Sequence, residues 1–467
     1  MAASANYWYI AIQYIAKMMV ITYVAFVVLG VLCIGLQYWA IKSRKDPPIG
    51  NNPTFLKFQR GYFAAYFLAV VADWLQGPYL YRLYSYYNFM EDQIAVLYVC
   101  GFASTVILGT WAPIAADRFG RKKLCFMFTI VYSLACFFKL SRNYGVLIMG
   151  RILGGVATSL LFSSFEAWYV HEHIETHDFP KEWIPVTFAK AGVWNGILAI
   201  VAGVVANFLA EWCGLGPVAP FMLSIPCLII SGIIVMTQWQ ENYGTQSVTL
   251  VKSCGTGLRT VFSELRIFMI GVIASLFESV MYIVIFIWTP VLIKGGPSLG
   301  ITFSSFMVCI MIGSAANQIL VTEKVQSYNL LLVSVGMALL ANIICIPTTN
   351  PDDPNRNLSF LALLIYQISV GIYFPSMGFL RIKIIPDAHR TSVMNWFRVP
   401  LNIIACFVLM LLHNSSFRHG NYLIFIITSG LLTFALLLSW QFVSMVKTDS
   451  DLQNGSTSEN DSSVSSA

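Results

Sequence analysis

The chain is a succession of apolar stretches, each about as long as a lipid bilayer is thick. A bilayer core of about 30 Å is crossed by roughly 20 residues of helix rising 1.5 Å per residue. Thirteen runs meet that length, near 18–41, 62–84, 94–116, 124–141, 145–170, 188–212, 218–239, 267–293, 300–322, 328–347, 358–381, 397–415 and 421–446. They are continuous rather than alternating, which argues against a transmembrane β-barrel. Composition decides one point. Asp, Glu, Lys and Arg make up only 11% of the 467 residues, against about 25% in a soluble chain. That is too little polar material to clothe a water-facing surface, so the expected fold class is an all-α polytopic membrane protein.

Basic residues in the loops orient the spans. Lys42, Arg44 and Lys45, then Lys57 and Arg60, then Arg118, Arg121, Lys122 and Lys123, fall on one side, and alternation adds Arg381 and Lys383 to it. The opposite side receives fewer, Lys139 and Arg142 among them. The first side is expected to be cytoplasmic, with the N-terminus outside. The expected organisation is a leading helix and connector at 1–61, six helices at 62–239, a polar cytoplasmic linker at 240–266, six helices at 267–446 and a disordered cytoplasmic tail at 447–467. A cleaved signal peptide is the alternative for the first run, but Lys42-Ser43-Arg44-Lys45 behind it reads as a stop to translocation and favours a retained anchor. The net charge of +6 has no Lys/Arg-rich stripe that would suit nucleic acid. The ten cysteines are scattered without a CxxC and read as small buried hydrophobes. No GxxxxGK[ST] loop is present, which argues against an ATP-driven pump. No cofactor, metal site or catalytic constellation is implied.

After the third run stands Asp117-Arg118-Phe119-Gly120-Arg121-Lys122-Lys123. Gly120 permits a tight turn, Asp117 can sit against a helix N-terminus, and the basic residues hold the loop inside. This resembles the cytoplasmic signature of the major facilitator superfamily, with Pro113 where that pattern has a glycine. Gly150-Arg151-Ile152-Leu153-Gly154-Gly155 is similar to a stretch of the fourth core helix in that superfamily; Gly150 and Gly154 open one helix face to close neighbours. A closer resemblance spans about residues 18–446. It rests on Ala72-Asp73-Trp74-Leu75-Gln76, Phe165-Glu166-Ala167-Trp168-Tyr169-Val170-His171-Glu172-His173, Gly216-Pro217-Val218-Ala219-Pro220-Phe221, Tyr373-Phe374-Pro375-Ser376-Met377 and Asn395-Trp396-Phe397-Arg398-Val399-Pro400. These strings are similar to the molybdate-anion transporter family. The resemblance implies a major facilitator fold of two six-helix bundles with one extra N-terminal helix. It also implies uptake of molybdate across the plasma membrane by alternating access. Spacing and periodicity do not show the cargo. Another small solute such as sulfate or a sugar, or a non-transporting sensor or scaffold with the same fold, stands as the alternative.

Ionisable groups inside a span cost on the order of 2.5–3.5 kcal/mol on insertion scales and call for a reason. Asp73 and Glu278 each fall eleven residues into equivalent runs, so they are expected opposite each other across a central cavity. If transport is coupled, one or both would bind the proton. The structural alternative for Asp73 is an ion pair with Arg151 or a bond to Gln76. An oxyanion needs positive charge or clustered donors. Arg151 is the first candidate and Arg398 the second, with Gln76, Asn195, Tyr366 and Gln367 as neutral donors. Arg398 could equally anchor a loop by pairing with Asp117. Asp117, Arg118, Gly120, Arg121 and Glu166 are the expected gate or conformational residues. His171, Glu172, His173 and His177 lack the order of a metalloprotease motif and read as a solvated cytoplasmic loop. Asn357-Leu358-Ser359 and Asn414-Ser415-Ser416 form glycosylation sequons close to the membrane.

Overall fold

A computed structural model describes residues 2–43, 52–244, 250–386, 390–413 and 421–464. Asn414 and its sequon lie outside them, while Asn357 sits in the first turn of a helix. Eleven helices among the described residues are long and apolar enough to cross a membrane. The run at 124–141 forms helix α5 (Arg121–Phe138) and the run at 62–84 forms α2 (Pro53–Trp74) with α3 (Leu80–Tyr86). Neither region is among those eleven, yet both pack inside the N-terminal set of helices.

α2 starts ahead of its apolar run because its cap lies there. The Asn52 side chain accepts from the backbone N–H of Thr54 at 3.0 Å and Phe55 at 3.2 Å, and Pro53 follows at the first helical position. The helix ends at Trp74, and a turn of 3₁₀ helix at Gly77–Tyr79 leads into α3. Pro78 has no N–H to continue the ladder and biases Gly77 away from the helical region. The expected first core helix is therefore broken just after Asp73.

The remaining N-terminal helices are α4 (Glu91–Phe119), α6 (Tyr144–His171), α7 (Ile184–Asn207) and α8 (Ala219–Gln238). Ala65, Ala69 and Ala72 are fully buried along α2. Small side chains there let α8 approach closely enough for Ser231 Oγ to donate to Ala65 O at 2.8 Å and Ser224 Oγ to Ala72 O at 2.9 Å. The C-terminal set comprises α10 (Leu265–Ile293), α11 (Leu299–Thr322), α12 (Ser327–Thr348), α13 (Arg356–Ile384), α14 (Arg390–Met410) and α15 (Tyr422–Val464). The linker contains α9 (Leu250–Ser263), which packs on α14 and α10. The expected disordered tail instead continues α15 as far as Val464; no proline interrupts that stretch.

The two sets meet where α7 crosses α11 and where α4 meets α14. At the first crossing the backbones nearly touch. A Cβ on Gly300 would collide with Gly203 O, and a Cβ on Gly203 with Ser304 Oγ. The leading helix α1 (Ala2–Ser43) lies along α11.

Candidate functional site

The break after α2 gathers polar side chains in the N-terminal set. Asp73 accepts a hydrogen bond from the Tyr132 hydroxyl of α5. Gln76, buried in the break, donates to Ala72 O at 2.9 Å and accepts from the ammonium of Lys139. Lys139 caps α5 and is only 3% exposed, so its assignment to an outer loop is corrected. Its Nζ lies 4.9 Å from the Phe221 ring centroid and 5.7 Å from that of Tyr132. Burying an ammonium costs several kcal/mol; the Gln76 carbonyl and the two ring faces supply the compensation. Tyr132 thus holds the acid on its hydroxyl and faces the lysine with its ring.

Arg151 makes no ion pair with Asp73. Its Nε donates to Leu97 O at 3.1 Å and its guanidinium lies 4.9 Å from the Tyr98 ring centroid. It passes directly over Gly101, where a Cβ would meet Nη2 at 2.5 Å. The next residue of α4, Phe102, stacks across the seam on Tyr282 of α10 at 4.8 Å. Arg398, an exposed residue of α14, exerts its charge on that same Tyr282. The two candidate arginines belong to opposite sets, Arg151 to α6 and Arg398 to α14.

Glu278 is not part of the Asp73 group. It forms an ion pair with Arg381 at 2.7 Å and accepts from the Tyr373 hydroxyl at 3.0 Å. Arg381, expected in a cytoplasmic loop, lies inside the C-terminal set with a 14% exposed side chain. Tyr366 and Gln367 are buried in that set, and the Tyr366 hydroxyl has no hydrogen-bond partner. Asn195 accepts from Trp74 Nε1 at 2.8 Å, and Trp74 meets Phe303 across the seam at 6.0 Å.

A second polar group, which sequence reasoning missed, closes the seam at the end assigned to the outside. α7 widens into a π turn at Phe208–Trp212, which projects Glu211 toward the start of α11. Glu211 accepts from Tyr79 at 2.8 Å, Ser298 Oγ at 2.9 Å and Leu299 N at 3.0 Å. Asn207 accepts from Ser298 Oγ at 2.6 Å and Gly300 N at 3.2 Å. The first-turn N–H groups of α11 have no partner within their own helix; here the other set caps them. The available signal was an acid at the end of an otherwise apolar run.

At the opposite end the Asp117–Lys123 loop is tied to the N-terminal set. Arg121 pairs with Asp117 at 2.7 Å and donates to Ala167 O at 3.2 Å, which replaces the expected Asp117–Arg398 pair. Gly120 adopts φ 104°, and a Cβ there would meet Glu241 Oε1 at 2.5 Å. Glu241 accepts from Lys122 N at 2.9 Å, while Arg121 N donates to Asn242 O at 3.0 Å. Arg118 is exposed, with its guanidinium 5.7 Å from the Phe119 ring centroid. Glu166 is exposed beside Tyr62 and Tyr66 and makes no ion pair. The reading of 171–177 as a solvated loop is corrected for Glu172 and His173, while His177 is exposed as expected. His173 is fully buried, with Nε2 2.9 Å from Pro180 O and its ring among Phe55, Phe58 and Phe179, and buried Glu172 accepts from Asn242 at 3.0 Å.

Three comparisons bear on this arrangement. A family model described as sugar transporters with 12 TM matches residues 21–364. The chain is 44% identical over 434 residues to a molybdate-anion transporter of Xenopus tropicalis, covering 92% of this chain and 96% of that one. It is 45% identical to the Xenopus laevis molybdate-anion transporter, covering 86% and 90%. Among solved structures, a mutant of the nucleoside transporter NupG matches with a TM-score of 0.66 at 14% identity, over 83% of this chain and 99% of that one.

Proposed function

Because the chain belongs to the molybdate-anion transporter family of the major facilitator superfamily, we propose that it is a multi-pass secondary transporter that takes up molybdate across the plasma membrane. The observation that carries this reading is a pair of arginines, one in each set of helices, that neither Asp73 nor Glu278 engages. Inside the spans Glu278 is matched by Arg381, and Asp73 is offset by Lys139 across the Tyr132 ring. Neither acid engages Arg151, which is held by Leu97 O and the Tyr98 ring in the N-terminal set, or Arg398, which stands exposed on α14 of the C-terminal set. Guanidinium groups present forked donors to the oxygens of an oxyanion such as molybdate. Asp73 and Glu278 are engaged elsewhere, by Tyr132 and by Arg381 with Tyr373.

The helices at 62–239 and 267–446 act as the two bodies of an alternating-access cycle around this region. Gln76 and Asn195 are the neutral donors nearest the break in α2. Tyr366 and Gln367 stand behind the Glu278–Arg381 pair and shape the wall of the C-terminal body. The Glu211–Ser298 seam is the outer gate, the Asp117–Arg121 loop fixes the inner end of the N-terminal body, and exposed Glu166 faces the inner entrance. Asp73 carries the coupling proton, since its carboxylate has no direct cationic partner. The test is uptake of labelled molybdate into vesicles, with sulfate and a hexose as competitors and proton and sodium gradients imposed separately. Saturable molybdate uptake driven by the proton gradient supports the reading. Uptake of hexose without molybdate would replace the cargo, and absence of any flux from correctly inserted protein would replace transport with a sensor or scaffold role.

A further inference from the structure

The leading helix is joined to the outer gate. Its Tyr23 lies between the two sets, with its hydroxyl 3.4 Å from Ser298 Oγ, the residue that precedes α11. The same hydroxyl accepts from Trp212 Nε1 at 3.0 Å, and the two rings stack at 6.4 Å. Trp212 ends the π turn that carries Glu211. One phenol thus contacts both sides of the gate, a Ser298 that donates to Glu211 and a Trp212 that follows it.

The rest of α1 holds this phenol in register with α11. Gln37 Nε2 donates to Met311 O at 3.1 Å, and Gln318 Nε2 donates back to Ala40 O at 3.2 Å. Such side chain–backbone bonds between helices are favoured where no water competes for the groups. Cys33 is buried in a cluster with Val308, Met311 and Ile312 of α11, which Ile197 and Ile200 of α7 also touch. Met18 is 1% exposed and lies so close to Gly295 that a Cβ there would collide with its sulfur. The other face of α1, including Val24, Val27, Val31 and Ile34, is exposed, as suits contact with lipid acyl chains.

We propose that α1 travels with the C-terminal set and that Tyr23 is a positioning residue of the transport cycle, latching the outer gate shut by bridging Trp212 and Ser298. Opening the gate parts Glu211 from the first turn of α11, and the phenol must then release one side. The latch therefore biases the protein against the outward-open state.

This inference rests on the alternating-access reading, so its test keeps the two apart. Ser304, fully buried, donates across the seam to Ile200 O at 2.9 Å. In a Cys213→Ser background, which removes the exposed outer thiol, Ser304→Cys reports gate opening through its rate of labelling by a membrane-impermeant maleimide on intact cells. Tyr23→Phe and, separately, Trp212→Phe are expected to raise that rate about fivefold, the equivalent of one net hydrogen bond. Glu211→Gln should raise it more. A rise with Glu211→Gln but with neither of the other two overturns the latch and leaves alternating access standing. If none of the three changes the rate, the gate itself is overturned and the latch with it. Surface abundance of each variant, read alongside, separates a latch from a mere anchor, which would move abundance and leave the labelling rate alone.

Discussion

Asp73 and Glu278 occupy the first helices of the two sets and are held in different ways. Glu278 has a guanidinium at 2.7 Å and a tyrosine hydroxyl at 3.0 Å. Asp73 has a tyrosine hydroxyl alone, while its compensating lysine is bound to Gln76 instead. A complete ion pair is a poor place to exchange a proton or a ligand, since removing either partner leaves a bare charge in a medium of low dielectric. A carboxylate held by one hydroxyl can take up a proton without breaking a contact ion pair. The C-terminal set is built for rigidity at this level, and the N-terminal set keeps its ionic groups separable.

Substitutions can break this comparison. Arg381→Ala carries the largest expected effect, since it strands Glu278; losing one member of a buried pair costs about 3–5 kcal/mol. Little folded protein should survive detergent extraction and size-exclusion chromatography, and a combined Glu278→Gln/Arg381→Met protein should recover. Equal recovery with Arg381→Ala alone would show that the pair is not structural. Arg151→Ala should fold. Loss of a charged donor is worth about 1.5–3 kcal/mol, so the apparent KM for molybdate should rise about 10- to 100-fold in vesicle uptake; an unchanged KM removes Arg151 from the anion site. Asp73→Asn keeps a group that can accept from Tyr132, so stability should hold while uptake loses its response to an imposed proton gradient. A retained response would move the coupling role elsewhere. Tyr132→Phe is expected to have the smallest effect, about 1.5 kcal/mol of stability, the low end for a bond to a charged group, read as an earlier thermal unfolding midpoint. If it proved as damaging as Arg381→Ala, the two acids would be held equally firmly and the contrast would fail.

Much of the framework was legible in the sequence. The apolar runs located the helices, and the Asp117–Lys123 motif located a loop that is in fact stitched to its surroundings. The misses have distinct physical causes. Lys139 and Arg381 lie at the margins of apolar runs, where a charge normally marks the water interface. Only packing shows that their side chains turn inward to meet Gln76 and Glu278. Gly77-Pro78 announced a break in the first core helix, but a continuous hydropathy run masked it. The capping of α11 by Asn207 and Glu211 joins residues about ninety positions apart and has no local signature. His173 was misread for the opposite reason: a polar string can be a buried one when an aromatic cage of distant residues closes over it.

Gly244 shows how far the N-terminal body reaches into the connector. Its N–H donates to Asp117 O at 3.2 Å, and any side chain there would strike the Asp117 carboxylate. Trp239 just before it stacks on Trp168 at 3.7 Å. The opening residues of the connector are thus bolted to the N-terminal body like the fixed leaf of a hinge. A fluorophore placed at or before this glycine would report only the tumbling of that leaf. One placed on α9, which rests on α14 and α10, would ride on the other leaf, and the distance between them would read the stroke.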